Sequence, residues 1–453
     1  MNKTSYKHML YKLTIALLLV LGLEVATVAQ QQKNMALDEA IEQMLQNNWQ
    51  IRKGEKQLEI AADNVKTTSS IYLPSINLSE TFINTNDPMM AFGTKLQQSS
   101  ITSQDFDPNL LNYPNSISNF NTRIEATQPL FNLDGIHGRN SAIAASQAQG
   151  KHHEWTKEMM ILKTKELYFN LIIAREAQEV LKQAEKTATK SYNTSQDLFD
   201  QGMINKADLM GVELRLTQVK SQLLHMNHFS EELNQNFLQL IGSADNFVIS
   251  PTDSLQSYKI DLDALSSLLL PEDRSDLQAL ALTAKAEEFN LKSQKSGFTP
   301  RVNAFGSYSL NDTRILGNKS DNYLVGLQMK WDVFQGNKRI GKVQKAKHQT
   351  ELAYISYEEK KSEASRNIKK LKNSMVLATK QIELAELALN QAQAVYDIRA
   401  NRYAEGLEKT TEVLADESNL LSKQLDLLKI LNEYAQLIFL LEMKSGQKLT
   451  KEN

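Results

Sequence analysis

Residues 396–413 read YDIRANRYAEGLEKTTEV, and residues 192–209 read YNTSQDLFDQGMINKADL. A shift of 204 positions lays the second stretch on the first: Tyr192 on Tyr396, Phe199 on Tyr403, Gly202 on Gly406 and Asp208 on Glu412. The match continues without a gap through Glu213 on Glu417 and Leu216 on Leu420 to Gly242 on Gly446. Outward from Gly406, Ile382, Ala385, Leu389, Ala392, Tyr396 and Tyr403 keep alternating three- and four-residue steps, broken only by Arg399. Beyond the glycine, Val413, Leu420, Leu427, Leu431, Tyr434, Ile438 and Leu441 do the same, with Glu417 and Gln424 as polar members. That spacing is a coiled-coil seam. Residues 382–441 are therefore expected to form two antiparallel helical arms that turn at Gly406, and the chain contains this hairpin twice.

A repeat of this length argues that the 453 residues form one body of two similar halves rather than unrelated domains. The formal net charge of -2 and an isoelectric point near 6.4 give no electrostatic reason to expect nucleic acid as a partner. Residues 1–29 have the pattern of a secretory signal peptide: Lys3, Lys7 and Lys12 precede an apolar run too short to span a bilayer, and Thr27-Val28-Ala29 follows. The mature chain is expected to begin near Gln30. No cysteine is present, which removes disulfides, thiolate chemistry and a lipid-modified N-terminal cysteine. Past the signal no apolar run has the length of a membrane helix, in line with a mean hydropathy of -0.41. A membrane-embedded form of this chain must be a β-barrel.

Residues 36–70 carry a helical pattern that Pro74 stops. Over 75–83 the period changes to two, Ile76, Leu78 and Phe82 facing one way and Asn77, Ser79 and Thr81 the other. Residues 84–119, rich in Pro, Asn and Asp, read as a long loop. A second strand over 120–128 places Phe120, Ile124 and Ala126 opposite Asn121, Arg123 and Glu125, and Pro129 is expected to end it. The proline-free region that follows predicts a helix over about 135–200, roughly 100 Å long at the helical rise. Gly202 turns the chain into a return arm over 207–241, completing a first repeat over 30–242. An irregular linker over 243–271 is expected to hold one small helix near 262–269. The second repeat, 272–446, replays the order, with strands over 301–310 and 322–331, a long arm, Gly406 and a return arm. Its strands alternate Val302, Ala304, Tyr308 and Leu310 with Asn303, Phe305, Ser307 and Ser309, then Tyr323, Val325, Leu327, Met329 and Trp331 with Leu324, Gly326, Gln328 and Lys330. Residues 447–453 are a polar tail.

The fold class expected is mainly α with membrane β. Four alternating segments of bilayer-spanning length cannot close a barrel, and lipid does not tolerate open edges, so several chains must share one. Two chains would give eight strands and a filled interior, whereas three give twelve and a lumen. Three chains sharing one twelve-stranded barrel is therefore the favoured count. The competing arrangement is a soluble sheet capping a coiled coil, which would make this a secreted structural or adhesin-like protein.

The order of elements, Leu37-Asp38-Glu39-Ala40 with Asn47-Asn48, Tyr72-Leu73-Pro74-Ser75, Arg274-Ser275-Asp276-Leu277 and Tyr403-Ala404-Glu405-Gly406 resemble the TolC-like outer-membrane efflux protein family over essentially the whole mature chain. The resemblance implies a homotrimer whose twelve-stranded barrel in the outer membrane is continued by a long periplasmic α-helical barrel, acting as an exit duct of a tripartite efflux or type I secretion system. Its implied partners are a periplasmic adaptor (membrane fusion) protein and an inner-membrane transporter of RND or ABC type. It also implies a closed periplasmic tip at the two glycine hairpins. By that resemblance Tyr403 and Asp208 match two of the family's latch residues, while Glu408 stands where an arginine is expected, with Lys409 beside it as a substitute. Glu412 matches the upper acid of a pore ring; the lower acid position is Ala415, with Asp416 one residue later and turned about a quarter-turn away. Three copies of Glu412 around a narrow lumen would concentrate cations. Without the resemblance, Asp208, Glu405, Glu408 and Glu412 read as solvated charges at helix turns.

Other chemistry is sparse. His225 and His228, and the adjacent His152 and His153, lack a third ligand at metal-site spacing, so surface or interface histidines are expected. Trp49, Trp155 and Trp331 read as packing or membrane-interface residues. No phosphate loop, nucleophile elbow or zinc-protease motif occurs, and neither an enzyme nor a cofactor is expected.

Overall fold

The computed structural model describes residues 32–253, 265, 268, 271 and 273–447. The signal peptide, most of the short helix expected near 262–269 and all but the first residue of the polar tail lie outside these. In chain order the elements are β1 (Gln32–Met35), α1 (Leu37–Asn47), α2 (Trp49–Thr67), β2 (Ser75–Thr85), α3 (Pro88–Gln97), α4 (Pro108–Asn112), β3 (Ile117–Phe131), α5 (Leu133–Asp200), α6 (Lys206–Ile241), β4 (Val248–Pro251), α7 (Ser275–Ser296), β5 (Arg301–Asp312), β6 (Ser320–Lys330), α8 (Lys338–Ala404) and α9 (Thr410–Ser445). Short 3-10 turns lie at Thr68–Ile71 and Ser103–Phe106. Among the described residues no helix is long and apolar enough to cross a membrane.

The chain divides into two compact units, each drawing on both repeats. One takes the described residues of Met1–Arg52, Lys157–Leu269 and Ile368–Asn453; the other takes Lys53–Thr156 and Leu270–Asn367. In the first unit α5 and α6 form one hairpin, α8 and α9 the other. The seam residues read from the sequence are the covered ones: Ala392, Tyr403, Val413, Leu420, Tyr434, Ile438 and Leu441 are all buried. The largest core gathers Met44, Ile51, Tyr168, Phe237, Met375 and Ile438.

Two features of this unit depart from the sequence pattern. The expected helix over 36–70 is split, because the buried Asn48 adopts an extended conformation (φ -62°, ψ 131°). Its Oδ1 accepts from the Gln50 amide at 2.8 Å, starting α2, while its Nδ2 donates 2.7 Å to the Leu240 carbonyl. A parallel pair, β1 with β4, runs from Gln32 opposite Val248 to Met35 opposite Pro251, which places a strand inside the 243–271 stretch that reads as an irregular linker. Strands this short have no periodicity to detect.

The second unit holds one antiparallel sheet in the order β2-β3-β5-β6. Its register aligns the alternating residues row upon row. Leu78 faces Ile124, Ile124 faces Tyr308 and Tyr308 faces Tyr323, so the four apolar rows expected from sequence share one face. The polar rows share the other, where Ser79, Arg123, Ser309 and Asn322 stand opposite one another. Among the described residues nothing covers the apolar face: Leu78 is 75% exposed, Val325 70% and Leu327 72%. Pro129 does not end β3, which continues to Phe131 through a register shift between Pro129 and Phe131. Pairing with β2 has already stopped at Thr127, so the missing proline N–H breaks no bond on that side. The expected loop over 84–119 is also more ordered than its composition suggests. Asp87 and Asp107 accept from the Met90 and Asn109 amides at 2.9 and 2.8 Å, and the prolines after them occupy first-turn positions, so each Asp-Pro pair starts a helix.

Candidate functional site

Both hairpin tips turn by the same physics. Gly202 and Gly406 take left-handed backbone (φ +72° and +73°), which spares the Cβ clash any other residue would meet. At the first tip the Met203 amide donates to the Leu198 carbonyl and the Gly202 amide to that of Phe199. At the second, Leu407 donates to Arg402 and Gly406 to Tyr403. Each is a Schellman motif that satisfies the carbonyls left over at a helix end. The tips touch, with Met203 Cε 3.0 Å from where a Cβ on Gly406 would lie. Asn205 caps α6 by accepting from the Asp208 amide at 3.0 Å, and Asp208 sits in that first turn, where a negative charge is favoured.

Tyr403 is buried among Leu198, Val413, Ile204 and Tyr396. A directed chain of hydroxyls runs through it. Ser195 donates to the Ser191 carbonyl at 2.8 Å, so its oxygen accepts from the Tyr403 hydroxyl at 2.8 Å, and Tyr403 in turn accepts from Thr410 at 3.3 Å. This fastens α5 of the first hairpin to both arms of the second. Phe199 occupies the Tyr403 position in the first repeat, so the duplication is broken where a cross-hairpin bond is made. Tyr403→Phe removes the donor, at a cost of about 1–2 kcal/mol. Amide hydrogen exchange at residues 198–206 and 402–410 should quicken by about tenfold for each 1.4 kcal/mol. Unchanged exchange there would mean that the hydroxyl chain holds nothing.

The acids of the second tip are not free. Arg399 on α8 lies 2.5 Å from Glu412 and 2.9 Å from Asp416 on α9. The contact with Glu412 is a hydrogen bond; that with Asp416 lacks hydrogen-bond alignment and is an ion pair only. The hydrogen bond to Glu412, with the charges of Asp416, Glu412 and Glu408, raises the guanidinium pKa above its ordinary value. Glu408 pairs with Arg402 at 3.5 Å. Lys409 is exposed at the start of α9 and, among the described residues, makes no ion pair; nor does the half-buried Asp208. Glu408 and Lys409 are therefore not interchangeable here, one being bound within its own hairpin and the other left over.

A buried ion pair joins the hairpins farther along. Arg215 Nε on α6 donates 3.2 Å to Glu417 Oε1 on α9, with both side chains under a tenth exposed. Arg215 Nη2 and Glu417 Oε2 have no hydrogen-bond partner. Burial pushes the Glu417 carboxyl above its usual value, and Arg215, with the Ser191 hydroxyl, offsets this only in part. The neighbouring Tyr396 hydroxyl is pushed up to about 12, by burial first and then by the Glu417 charge. Sequence reading places Glu417 in the seam but gives it no partner; the only signal of Arg215 is a basic residue three positions from Val212 and four from Val219 on the covered face. His225, His228, His152 and His153 gather no further ligands: among the described residues no group of three or more metal-ligating side chains occurs.

A strand sheet with an uncovered apolar face, carried by a chain of duplicated long helical hairpins, defines a class: the outer-membrane ducts. Within it, the chain belongs to the outer membrane efflux protein family, whose model matches residues 40–243 and 266–438. No curated protein matches the chain. Among solved structures its fold is similar to the CmeC outer membrane channel of Campylobacter jejuni, with 16% identity, a TM-score of 0.77 and 92% of this chain covering 87% of that one. It is similar also to the outer membrane protein VceC of Vibrio cholerae (17% identity, TM-score 0.74, 91% and 96% covered). A third similar fold is the open state of the MtrE outer membrane channel of Neisseria gonorrhoeae (15% identity, TM-score 0.74, 92% and 90% covered). The protein is an outer-membrane exit duct, as the sequence resemblance implied.

Proposed function

We propose that three copies close one twelve-stranded barrel and that the duct works passively, receiving solutes from an inner-membrane transporter of RND or ABC type through a periplasmic adaptor. The observation that carries this reading is the four-stranded sheet itself, whose outer strands β2 and β6 each pair on one side only. Open edges and an exposed apolar face call for lipid on that face and further strands at the edges. The two sequence repeats then supply equivalent hairpins, and the duct opens by rotation of the tips at Gly202 and Gly406. Tyr403 with Asp208, Glu408, Lys409, Glu412 and Asp416 form the gate. The unpaired Asp208 and Lys409 leave one acid and one base per chain for contacts between copies, while Arg399 tempers the acidic ring of Glu412 and Asp416.

Purified full-length protein in planar bilayers tests this reading. The expected result is a trimer that conducts ions. Arg399→Ala, which strips the cation from the ring, should shift the reversal potential in a salt gradient toward stronger cation preference, and Glu412→Ala should weaken that preference. Monomers without conductance would end the duct reading, and reversal potentials indifferent to both substitutions would remove the ring from the gate.

A further inference from the structure

The 84–116 connection is folded back onto the sheet. One face of α3 is buried, Ala91, Thr94 and Gln98 following at three- and four-residue steps and lying at 1%, 3% and 1% exposure. Gln98 Nε2 donates 2.8 Å to the Ser118 carbonyl and 2.8 Å to Asn119 Oδ1. Asn119, itself buried, passes the contact on to Asn311 of β5 at 3.0 Å. Ser99, held at φ 50°, meets the hydroxyl of Ser320 on β6 at 2.9 Å. The segment thus bonds to β3 and β6, which flank β5, and so crosses the sheet. Asn119 and Asn311 belong to the polar rows, so the segment lies on the polar face and leaves the apolar face bare. Within the segment, Lys95 binds Asp105 at 2.5 Å and Phe92 meets the edge of Phe106 with centroids 5.7 Å apart. Lysine and two Thr102 bonds hold the Asp105 carboxyl down at about 2, so that carboxyl stays ionised at any working pH. Lys95 is the only basic residue between 84 and 116. The surface left over mixes apolar side chains, with Met89 87% and Tyr113 83% exposed and Met90, Leu96 and Phe106 also outward, with the exposed carboxylates of Asp87 and Asp107.

We propose that this segment is an inward-folded lid that narrows the outer mouth of the duct and sets the largest solute it releases. The inference rests on the trimeric-duct reading above. The long helices α5 and α8 leave the sheet from the ends of β3 and β6, so the β2–β3 and β5–β6 connections share the opposite, outer end. Three copies of a polar-face lid then converge on one axis and narrow the opening between them.

Because the chain has no cysteine, Ser79→Cys is a clean reporter: Ser79 is exposed on the polar face, in the middle of β2 and away from the lid. Cells carrying the full chain in the outer membrane are treated from outside with a small thiosulfonate or a large polyethylene-glycol maleimide. With the lid intact the small reagent should react and the large one should not; replacing 86–116 by a short Gly-Ser turn should abolish that size discrimination. If that variant fails to reach the membrane, Lys95→Ala with Gln98→Ala in the otherwise complete chain makes the same comparison. Equal reaction of the large reagent with the lid intact overturns the lid. Failure of both reagents after lid removal overturns the duct reading itself, because the polar face would then not line a water-filled path.

Discussion

Replacing Arg215 with alanine should destabilise the paired hairpins by about 3–5 kcal/mol at neutral pH, the cost of leaving one member of a buried ion pair without its counter-charge. Glu417 is then a buried carboxyl with no counter-charge, its Oε2 already lacking a hydrogen-bond partner. The effect depends on pH in a direction opposite to that of a surface salt bridge. In the parent, burial already raises the Glu417 carboxyl above its ordinary 4.5. A raised folded-state pKa gives stability that is complete below the unfolded value and lost as pH climbs through the folded one. Removing Arg215 raises that value further, so the penalty should be smallest below pH 4.5 and should grow as pH rises above it. Denaturant unfolding of the detergent-solubilised protein across that pH range measures it, and a penalty that grows on acidification would contradict the argument. Replacing both residues with leucine should be neutral or stabilising, by up to about 4 kcal/mol, because the pair is only half satisfied.

A comparably large effect is expected at the membrane. Val325→Arg places a guanidinium in the middle of β6 on the apolar face, at about 2–4 kcal/mol per chain for a charge near the bilayer midplane. If three chains share the barrel, the cost is incurred three times, and the variant should accumulate outside the outer-membrane fraction. Gln328→Arg, on the same strand but among the polar rows, should insert normally. Fractionation followed by heat-modifiable gel mobility reads the difference. Equal insertion of the two variants would mean that the faces are assigned the wrong way round.

Local pattern alone was enough for most of the architecture, because amphipathic periodicity and glycine turns are set by residues near in sequence. The four strands, their two faces, the seam and both tips follow from spacing, and the repeat shows that the hairpin occurs twice. Where the pattern fails, distant partners decide. Asn48 ends a helix because its amide reaches Leu240, β1 exists only against β4, and the 84–116 segment is ordered by bonds to β3 and β6.

The same divide runs through the gate. Glycine at 202 and 406, tyrosine at 403 and the acids at 208, 408, 412 and 416 are visible as residues. Which acid is free is not visible, because charge neutralisation depends on where Arg399 and Arg402 reach across a turn. Glu213 and Glu417 are equivalent in the repeat, yet the first is exposed and the second is buried against Arg215. The sequence by itself determined the helical hairpins, the strand faces and the need for a lipid-covered barrel, since hydrophobic burial leaves a periodic trace in one dimension. Only the tertiary structure decided the ion pairs, the hydroxyl chain and the folded-back outer segment, since a polar contact between residues on different elements leaves no period to read.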